Sequence, residues 1–519
     1  MQEYLPIAKR GYLSMTDGSS LGYNGNITLN YNTLFGEKHI LYAGIGCEVK
    51  QDDSNSHGFT LTGFPDDRYS DPAFAIQFKE NSRATSDESK SRSIGFFANG
   101  NYIYDDRYFA DVSVRIDGSS KFGVDKRFAP FWSVGAGWNV HNEKFFKSTK
   151  VSMLKLRYSY GVTGNQEFSA YQAQTMFQFN TDRLYNSSVT AELMGYGNPD
   201  LEWQNQYQSN FGLDFGYAKD RIRVQFNYYL KKTQGLLTTI TVAPSLGFPS
   251  DNYTANLGEI QNKGLEVNLN AVIIRDMEKE LEWSVMFQAA NNKNKIRKIS
   301  TALKTVNDEN NKNTQVPGAV YEEGESMSAI KAVRSLGIDP TTGKELFVKK
   351  NGELTYTWDA EDKVICGDTE PKVFGNFGTN LYWKGWNLNM VFKYNFGADY
   401  YNSTLAQRVE GADPAKNADR RVLKDRWKEP GQHALYKNIK DYKTTYISSR
   451  FVQKDNTVQL STLSLSYEVN KAWISRFGMN TLRLSFYMND VFRASTVKNE
   501  RGIDYPFQRS FVFGLNVSF

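Results

Sequence analysis

Every second residue from Trp386 to Phe396 is apolar or aromatic: Trp386, Leu388, Met390, Phe392, Tyr394 and Phe396. Asn387, Asn389, Val391, Lys393 and Asn395 fall between them. The alternation recurs in Tyr207, Ser209, Phe211, Leu213, Phe215 and Tyr217 against Gln208, Asn210 and Asp214. It recurs in Ile222, Val224, Phe226, Tyr228 and Leu230 against Arg223, Gln225 and Asn227. Further rows are Tyr108, Ala110, Val112, Val114, Ile116; Leu265, Val267, Leu269, Ala271, Ile273; and Leu482, Leu484, Phe486, Met488, the last against Arg483, Ser485 and Asn489. A strand sorts such a pattern onto two faces because successive side chains point to opposite sides; a helix cannot. About sixteen segments of this kind run along the chain. Many approach the ~9–11 residues that cross a bilayer at a tilt, rather than the ~5–6 of a soluble strand.

The connections alternate in length. Asp105-Asp106, Ala218-Lys219-Asp220 and Lys384-Gly385 are short, while Gln51 to Lys90, Lys293 to Met327 and Gly397 to Lys454 are long. Transmembrane barrels have short periplasmic turns and long extracellular loops. Loops of this length are uncommon in compact soluble domains. Asn470 to Gly478 has the pattern of a short helix stopped by Gly478, a periplasmic turn packed under the barrel.

Composition agrees. Aromatics make up 14% of the chain and all hydrophobics only 40%, so a polar chain is rich in large rings. A barrel with lipid outside, water inside and aromatic girdles at both interfaces requires that combination. No run of 18 apolar residues offers a transmembrane helix. The net charge of +5 arises from 62 basic and 57 acidic residues, a near balance that points to no nucleic-acid partner. Cys47 and Cys366 are too few for a disulfide scaffold and are expected to be free. Residues Met1 to Arg10 lack the basic and apolar stretches of a signal peptide, which leads to the expectation of a fragment or split gene.

The final segment alternates to the terminus, with Phe511, Phe513, Leu515, Val517 and Phe519 on one face and Ser510, Val512, Gly514, Asn516 and Ser518 on the other. Other stretches carry a specific likeness. They are Arg115-Ile116-Asp117-Gly118-Ser119-Ser120-Lys121-Phe122-Gly123, Gly161-Val162-Thr163-Gly164-Asn165-Gln166 and Asn198-Pro199-Asp200-Leu201-Glu202-Trp203. Asn262-Lys263-Gly264-Leu265-Glu266, Gly337-Ile338-Asp339-Pro340-Thr341-Thr342-Gly343-Lys344, Gly367-Asp368 with Pro371-Lys372, and Tyr505-Pro506 with Arg509, Gly514, Leu515, Asn516 and Phe519 follow. Together and in this order they resemble the SusC/RagA-type TonB-dependent outer-membrane transporters. The resemblance implies an all-β fold: residues 1–519 as the later strands of a 22-stranded antiparallel transmembrane barrel. The plug, TonB box, signal peptide and earliest strands have no counterpart in the chain.

No catalytic constellation emerges, no cofactor is expected, and the chain reads as a non-enzyme. His39, His57, His141 and His433 have no metal-ligand spacing. Asp359, Glu361, Asp362 and Asp368 do not match a calcium loop and read as a solvated strand end or loop. Gly44-Ile45-Gly46 and Gly135-Ala136-Gly137 open no helix, so they are not nucleotide loops; they would admit close approach of another element, such as a plug. Arg408 to Gly431, with Trp427, reads as a solvated extracellular loop, with sugar or peptide binding as the alternative. Polar inner-face residues would line the lumen and hold the plug. The resemblance implies import of glycan or peptide fragments, a SusD-like surface lipoprotein, and energy from TonB–ExbB–ExbD. A freestanding passive porin and a non-transport surface barrel, an adhesin or antigen, are the alternatives.

Overall fold

In the computed structural model every residue is described except 1–5, 67, 69–70, 81, 167, 187, 242–251, 257, 300–306, 309, 319, 414, 416–419, 442–443 and 499–506. Fifteen strands form one continuous antiparallel meander. They are β1 (Tyr12–Phe35), β2 (His39–Thr62), β3 (Thr85–Tyr104), β4 (Tyr108–Ser119), β5 (Phe128–Asn139), β6 (Val151–Asn165), β7 (Gln204–Tyr217) and β8 (Ile222–Gln234). Then come β9 (Glu259–Asp276), β10 (Leu281–Lys298), β11 (Val373–Trp383), β12 (Trp386–Tyr401), β13 (Val452–Glu468), β14 (Thr481–Ser495) and β15 (Phe511–Ser518). Gln77–Phe78 pairs beside β2 and brings the sheet to sixteen strands. Each strand of the meander neighbours the next in sequence; among the described residues β1 and β15 have a partner on one side only.

Short and long connections fall on opposite ends of the sheet. The expected short turns are in place, and they take the left-handed backbone that matches strand twist. Asp105 and Asp106 have φ of 53° and 52°, and Lys384 and Gly385 have 46° and 84°. Ala218, Lys219 and Asp220 are all left-handed. The expected turn helix is α1 (Lys471–Ile474), capped by Asn470, whose side chain accepts from the Ala472 amide at 2.9 Å. A 3-10 turn over Ser475–Phe477 follows, and Gly478 ends it at φ 71°.

The registers show what each face carries. Leu154, Phe215, Val224, Leu269, Phe287, Phe377, Phe392, Leu460 and Phe492 stand directly across from one another over nine strands. One position along, on the other face, run Asn139, Lys155, Asp214, Gln225, Asn268, Gln288, Asn376, Lys393, Gln459 and Arg493. At the short-turn end the outer face closes with aromatic rows. Phe35, His39, Tyr104, Tyr108 and Trp138 form one, and Trp383, Trp386 and Tyr467 another. The rings of Tyr104, Tyr108 and Trp138 stack in sequence at 6.5 and 6.4 Å. Phe511, Phe513, Leu515 and Val517 continue the apolar face on the last strand, as its alternation predicts.

Several expectations need correction. Gln51 to Lys90 is not one long loop: β2 runs to Thr62 and β3 starts at Thr85, with His57 paired to Ser86. Outside the bilayer neither face needs to be apolar, so these strand extensions are polar and carry no alternation. For the same reason β10 runs on to Lys298, β12 runs on to Tyr401, and β13 begins at Val452. Ile273 lies in a bulge, and Ile274 takes its place across from Trp283. The two glycine pairs are filled from within the sheet. A Cβ at Gly46 would stand 2.4 Å from the Phe97 ring, and one at Gly137 would stand 1.8 Å from the Phe109 ring. Gly46 and Gly137 thus make room for rings of adjacent strands, while Gly44 faces the Asn99 and Asn30 side chains and Gly135 lies beside Asp111.

Candidate functional site

The inner face is a polar wall. Arg157 bridges Asp214 at 3.1 Å and donates to the Asn227 side chain at 2.7 Å, tying three strands. Asn294 donates to Asn262 at 2.8 Å, and Tyr229 lies over Gly264 with its hydroxyl 3.1 Å from Asn292. Toward the short-turn end Arg223, Asn270, Ser284, Met286, Asn380 and Asn389 surround a cavity of about 540 Å³, where Gly378 leaves the floor low. Amides, hydroxyls and the cations Lys219, Arg221, Arg223 and Arg275 of its lining can hydrogen-bond a polar solute or a plug; no nucleophile paired with a base stands among the lining residues.

Above the long-loop end the connections β10–β11 and β12–β13 fold together into a cap. Ala329–Ile338, Glu345–Val348, Leu354–Thr355 and Lys363–Asp368 form a four-stranded sheet. A π-helical turn over Thr404–Glu410 and 3-10 turns at Arg420–Leu423 and Ser449–Phe451 pack beside it. Ala332, Ala406, Val409 and Ile447 are wholly buried. At the centre Arg450 reaches Glu345 at 2.9 Å and Glu410 at 2.5 Å. Desolvation alone would lower the Arg450 pKa, but the two carboxylates outweigh it and hold the guanidinium charged. Arg426, also buried, donates to the carbonyls of Val409 at 2.6 Å, Glu410 at 2.8 Å, Lys437 at 3.2 Å and Val422.

The segment Arg408 to Gly431 is therefore not simply a solvated loop. Val409, Glu410, Val422 and Arg426 lie inside the cap, and Trp427 packs over Gly343 and donates to the Pro340 carbonyl at 2.8 Å. The acidic cluster separates into individual roles. Asp359 caps the turn at Glu361 (2.9 Å), Asp362 accepts from the Lys350 amide (3.0 Å), and Asp368 accepts from Ser328 (2.6 Å). Asp339 accepts from Tyr356, the Thr341 amide and Thr342, which lower its pKa to about 2. The histidines stay apart: His39 stacks on Phe35 and bonds Tyr102 at 2.7 Å, and His141 meets the Leu154 backbone at 3.2 Å. Cys47 and Cys366 are free thiols.

A polar-lined transmembrane sheet under a folded cap is the arrangement of an outer-membrane receptor. The family model described as TonB dependent receptor-like, beta-barrel matches residues 4–491. The chain belongs to this family. TonB-dependent receptor P39 of Formosa agariphila is 25% identical over 94% of this chain and 52% of its own length. TonB-dependent receptor SusC of Bacteroides thetaiotaomicron is 23% identical over 96% of this chain and 51% of its own. The RagAB peptide transporter has the same fold, with a TM-score of 0.86 and 23% identity over 98% of this chain and 56% of that one. These relatives are of the SusC/RagA type that the motifs suggest, and the chain spans about half the length of the curated relatives it matches.

For this TonB-dependent receptor barrel the motifs have structural work at the long-loop end. Phe122 stacks on Trp203 at 4.4 Å, and Phe168 and Phe131 meet that pair edge-on at 5.0 and 5.3 Å. Val162 completes the buried cluster. Trp203 donates to the Arg127 carbonyl at 3.2 Å, and Gly123 passes so close to Pro199 that a Cβ would stand 1.7 Å from its carbonyl oxygen. The motifs thus weld the β4–β5 and β6–β7 connections into one rim. Sequence reasoning missed the Arg450 centre, whose partners lie 40 and 105 positions away with no local signature.

Proposed function

We propose that this chain forms most of the wall and the cap of a TonB-dependent importer of glycan or peptide fragments. The carrying observation is the two-faced sheet: one continuous apolar row outside, one continuous polar row inside, under a folded cap. The mechanism is gated passage without a chemical step. A plug would rest on the inner amides and be withdrawn by TonB–ExbB–ExbD, and a SusD-like lipoprotein would cover the cap. The fold shared with a peptide transporter favours peptides among the candidate solutes.

The open sheet argues that further strands close the barrel. About ten membrane-embedded residues on an edge strand present about ten unpaired backbone groups. At several kcal/mol each in hydrocarbon, two open edges would cost on the order of 50 kcal/mol. A folded protein has only ~5–15 kcal/mol of stability, so this sheet cannot face lipid at both edges. A 22-stranded barrel, as the resemblance implies, would need seven strands beyond the fifteen of the meander.

The test is uptake of fluorescent peptides and oligosaccharides by cells that carry the complete transporter, with and without TonB. Accumulation should require TonB. Stable large pores formed in a planar bilayer by this chain alone would overturn the reading in favour of a passive porin.

A further inference from the structure

On the outer face the apolar rows stop abruptly. Along β10 they run Leu281, Trp283, Val285, Phe287 and Ala289; the next outward positions are Asn291, Lys293, Lys295 and Arg297. Lys293 stands directly across from Lys263 on β9. Lys372 joins them because β11 stops short of its neighbours. Pairing of β10 with β11 ends at Ala290 across from Phe374, and above it Asn291 donates to the Lys372 carbonyl. The result is a groove of about 600 Å³ lined by Lys263, Lys293, Lys295 and Lys372.

These cations are in excess and have no ion-pair partner among the described residues. Lys263, Lys293 and Lys372 are exposed and Lys295 is half-buried. Of the carboxylates that line the groove, Asp399 is paired with Lys454 at 2.7 Å, while Asp368 accepts from Ser328 at 2.6 Å and Glu370 accepts from Asn292; the latter two keep their charge, and the four lysines outnumber them. Nearby Lys232, by contrast, is neutralised by Glu259 at 3.0 Å.

The depth of the groove identifies the anion. Leu281 to Ala289 covers about 27 Å of strand, or about 21 Å of depth at a tilt near 40°, against an apolar band about 25 Å tall. Lys293 lies about 10 Å higher on the same scale, just past the hydrocarbon edge. We propose that this groove binds the phosphate groups of a phosphorylated glycolipid in the outer leaflet. Its acyl chains would lie on the Val285, Phe287 and Ala289 row while its headgroup phosphates meet the lysines. Each cation near an anionic headgroup adds roughly a fivefold factor in affinity, so the cluster selects for charge. A second copy of the chain is a poorer occupant, because a two-fold contact through this groove would set like charges together. The proposal rests on the reading that the long-connection end faces outward.

The complete transporter in detergent, mixed with bis-phosphorylated lipid A or the same lipid after phosphatase treatment, tests this by native mass spectrometry. The protein should retain the phosphorylated lipid and lose it as salt rises. Joint Lys263→Gln, Lys293→Gln and Lys295→Gln replacement should weaken retention about tenfold or more, and Arg at the same positions should restore it. Equal retention of the dephosphorylated lipid, a measurement that needs no variant, would overturn the site. So would an unchanged triple-Gln protein. Lys293→Cys in a protein with Cys47 and Cys366 replaced by Ser should react with an impermeant maleimide on intact cells. Protection there would overturn the outward orientation separately from the lipid chemistry.

Discussion

Phe392→Arg tests the face assignment near the middle of the membrane. Phe392 lies six positions from Trp386, in the short-turn girdle, on β12. That is about 20 Å of strand and about 15 Å of depth, close to the middle of a band about 25 Å tall. Its ring faces Phe377 at 5.9 Å and Phe492 at 6.3 Å, both on the lipid side. An arginine on the lipid face near the midplane costs ~2–4 kcal/mol. Asn389→Arg places the same charge on the inner face, across from Asn380 and Ser464, where water solvates it and no like charge stands directly opposite. Its cost should fall below about 1 kcal/mol, as for other surface substitutions. Urea titrations of both variants in lipid vesicles, within a complete barrel, measure the difference. Equal costs, or a larger cost at Asn389, would refute the assignment of faces and with it the reading of every row described above.

Arg450→Ala would leave Glu345 and Glu410 buried without their cation, a change that costs ~3–5 kcal/mol. The cap, not the barrel, should open, so backbone amides near Ile447 and Phe451 should lose hydrogen-exchange protection while β7 to β9 keep theirs. Gly123→Ala should force the Pro199 backbone away and separate Phe122 from Trp203, at ~1–3 kcal/mol for overpacking; a red shift of Trp203 emission would report it. Asp339 has its folded pKa lowered from 3.8 to about 2, so its stabilising bonds are intact above pH 3.8 and are lost as pH falls toward 2. The Tyr356 hydroxyl resonance should follow that acid transition, and Asp339→Asn should abolish it.

The transmembrane part of the fold was legible because lipid imposes a rule on every second residue. Phe392, Phe377 and Phe287 carry that rule without reference to their neighbours, and register then places them in one row. Turns were legible too: Lys384-Gly385 and the stop at Gly478 sit where left-handed backbone is required. The rule ends with the hydrocarbon. Asp52, Ser54 and Ser56 pair along β1 and β3 as regularly as any membrane residue, but with water beyond both faces nothing in their order marks a strand. The lack of alternation therefore hid the upper half of β2, from Gln51 to Thr62, and made it read as loop.

The cap and the groove escaped for a different reason. A charged residue in a polar segment has the same appearance whether it is solvated or buried, and the distinction lies in partners that are remote in sequence. Glu410 is fully buried only because Arg450 arrives from the turn that precedes β13 and Arg426 fills the adjoining carbonyls. Lys293 is open because pairing with β11 ends three residues below it, at Ala290, and among the described residues no carboxylate forms an ion pair with it. In both cases the chain has fixed the charges by where strands start and stop, not by which residues are adjacent. This couples the two regions physically. The Gly367-Asp368-Thr369-Glu370-Pro371-Lys372 segment that opens the lysine groove also anchors the cap sheet, through the pairing of Gly367 with Ile330 and of Asp368 with Ala329. A movement of the cap would thus be transmitted to Lys372 at the membrane surface through six residues of connected backbone, and lipid held there would resist it.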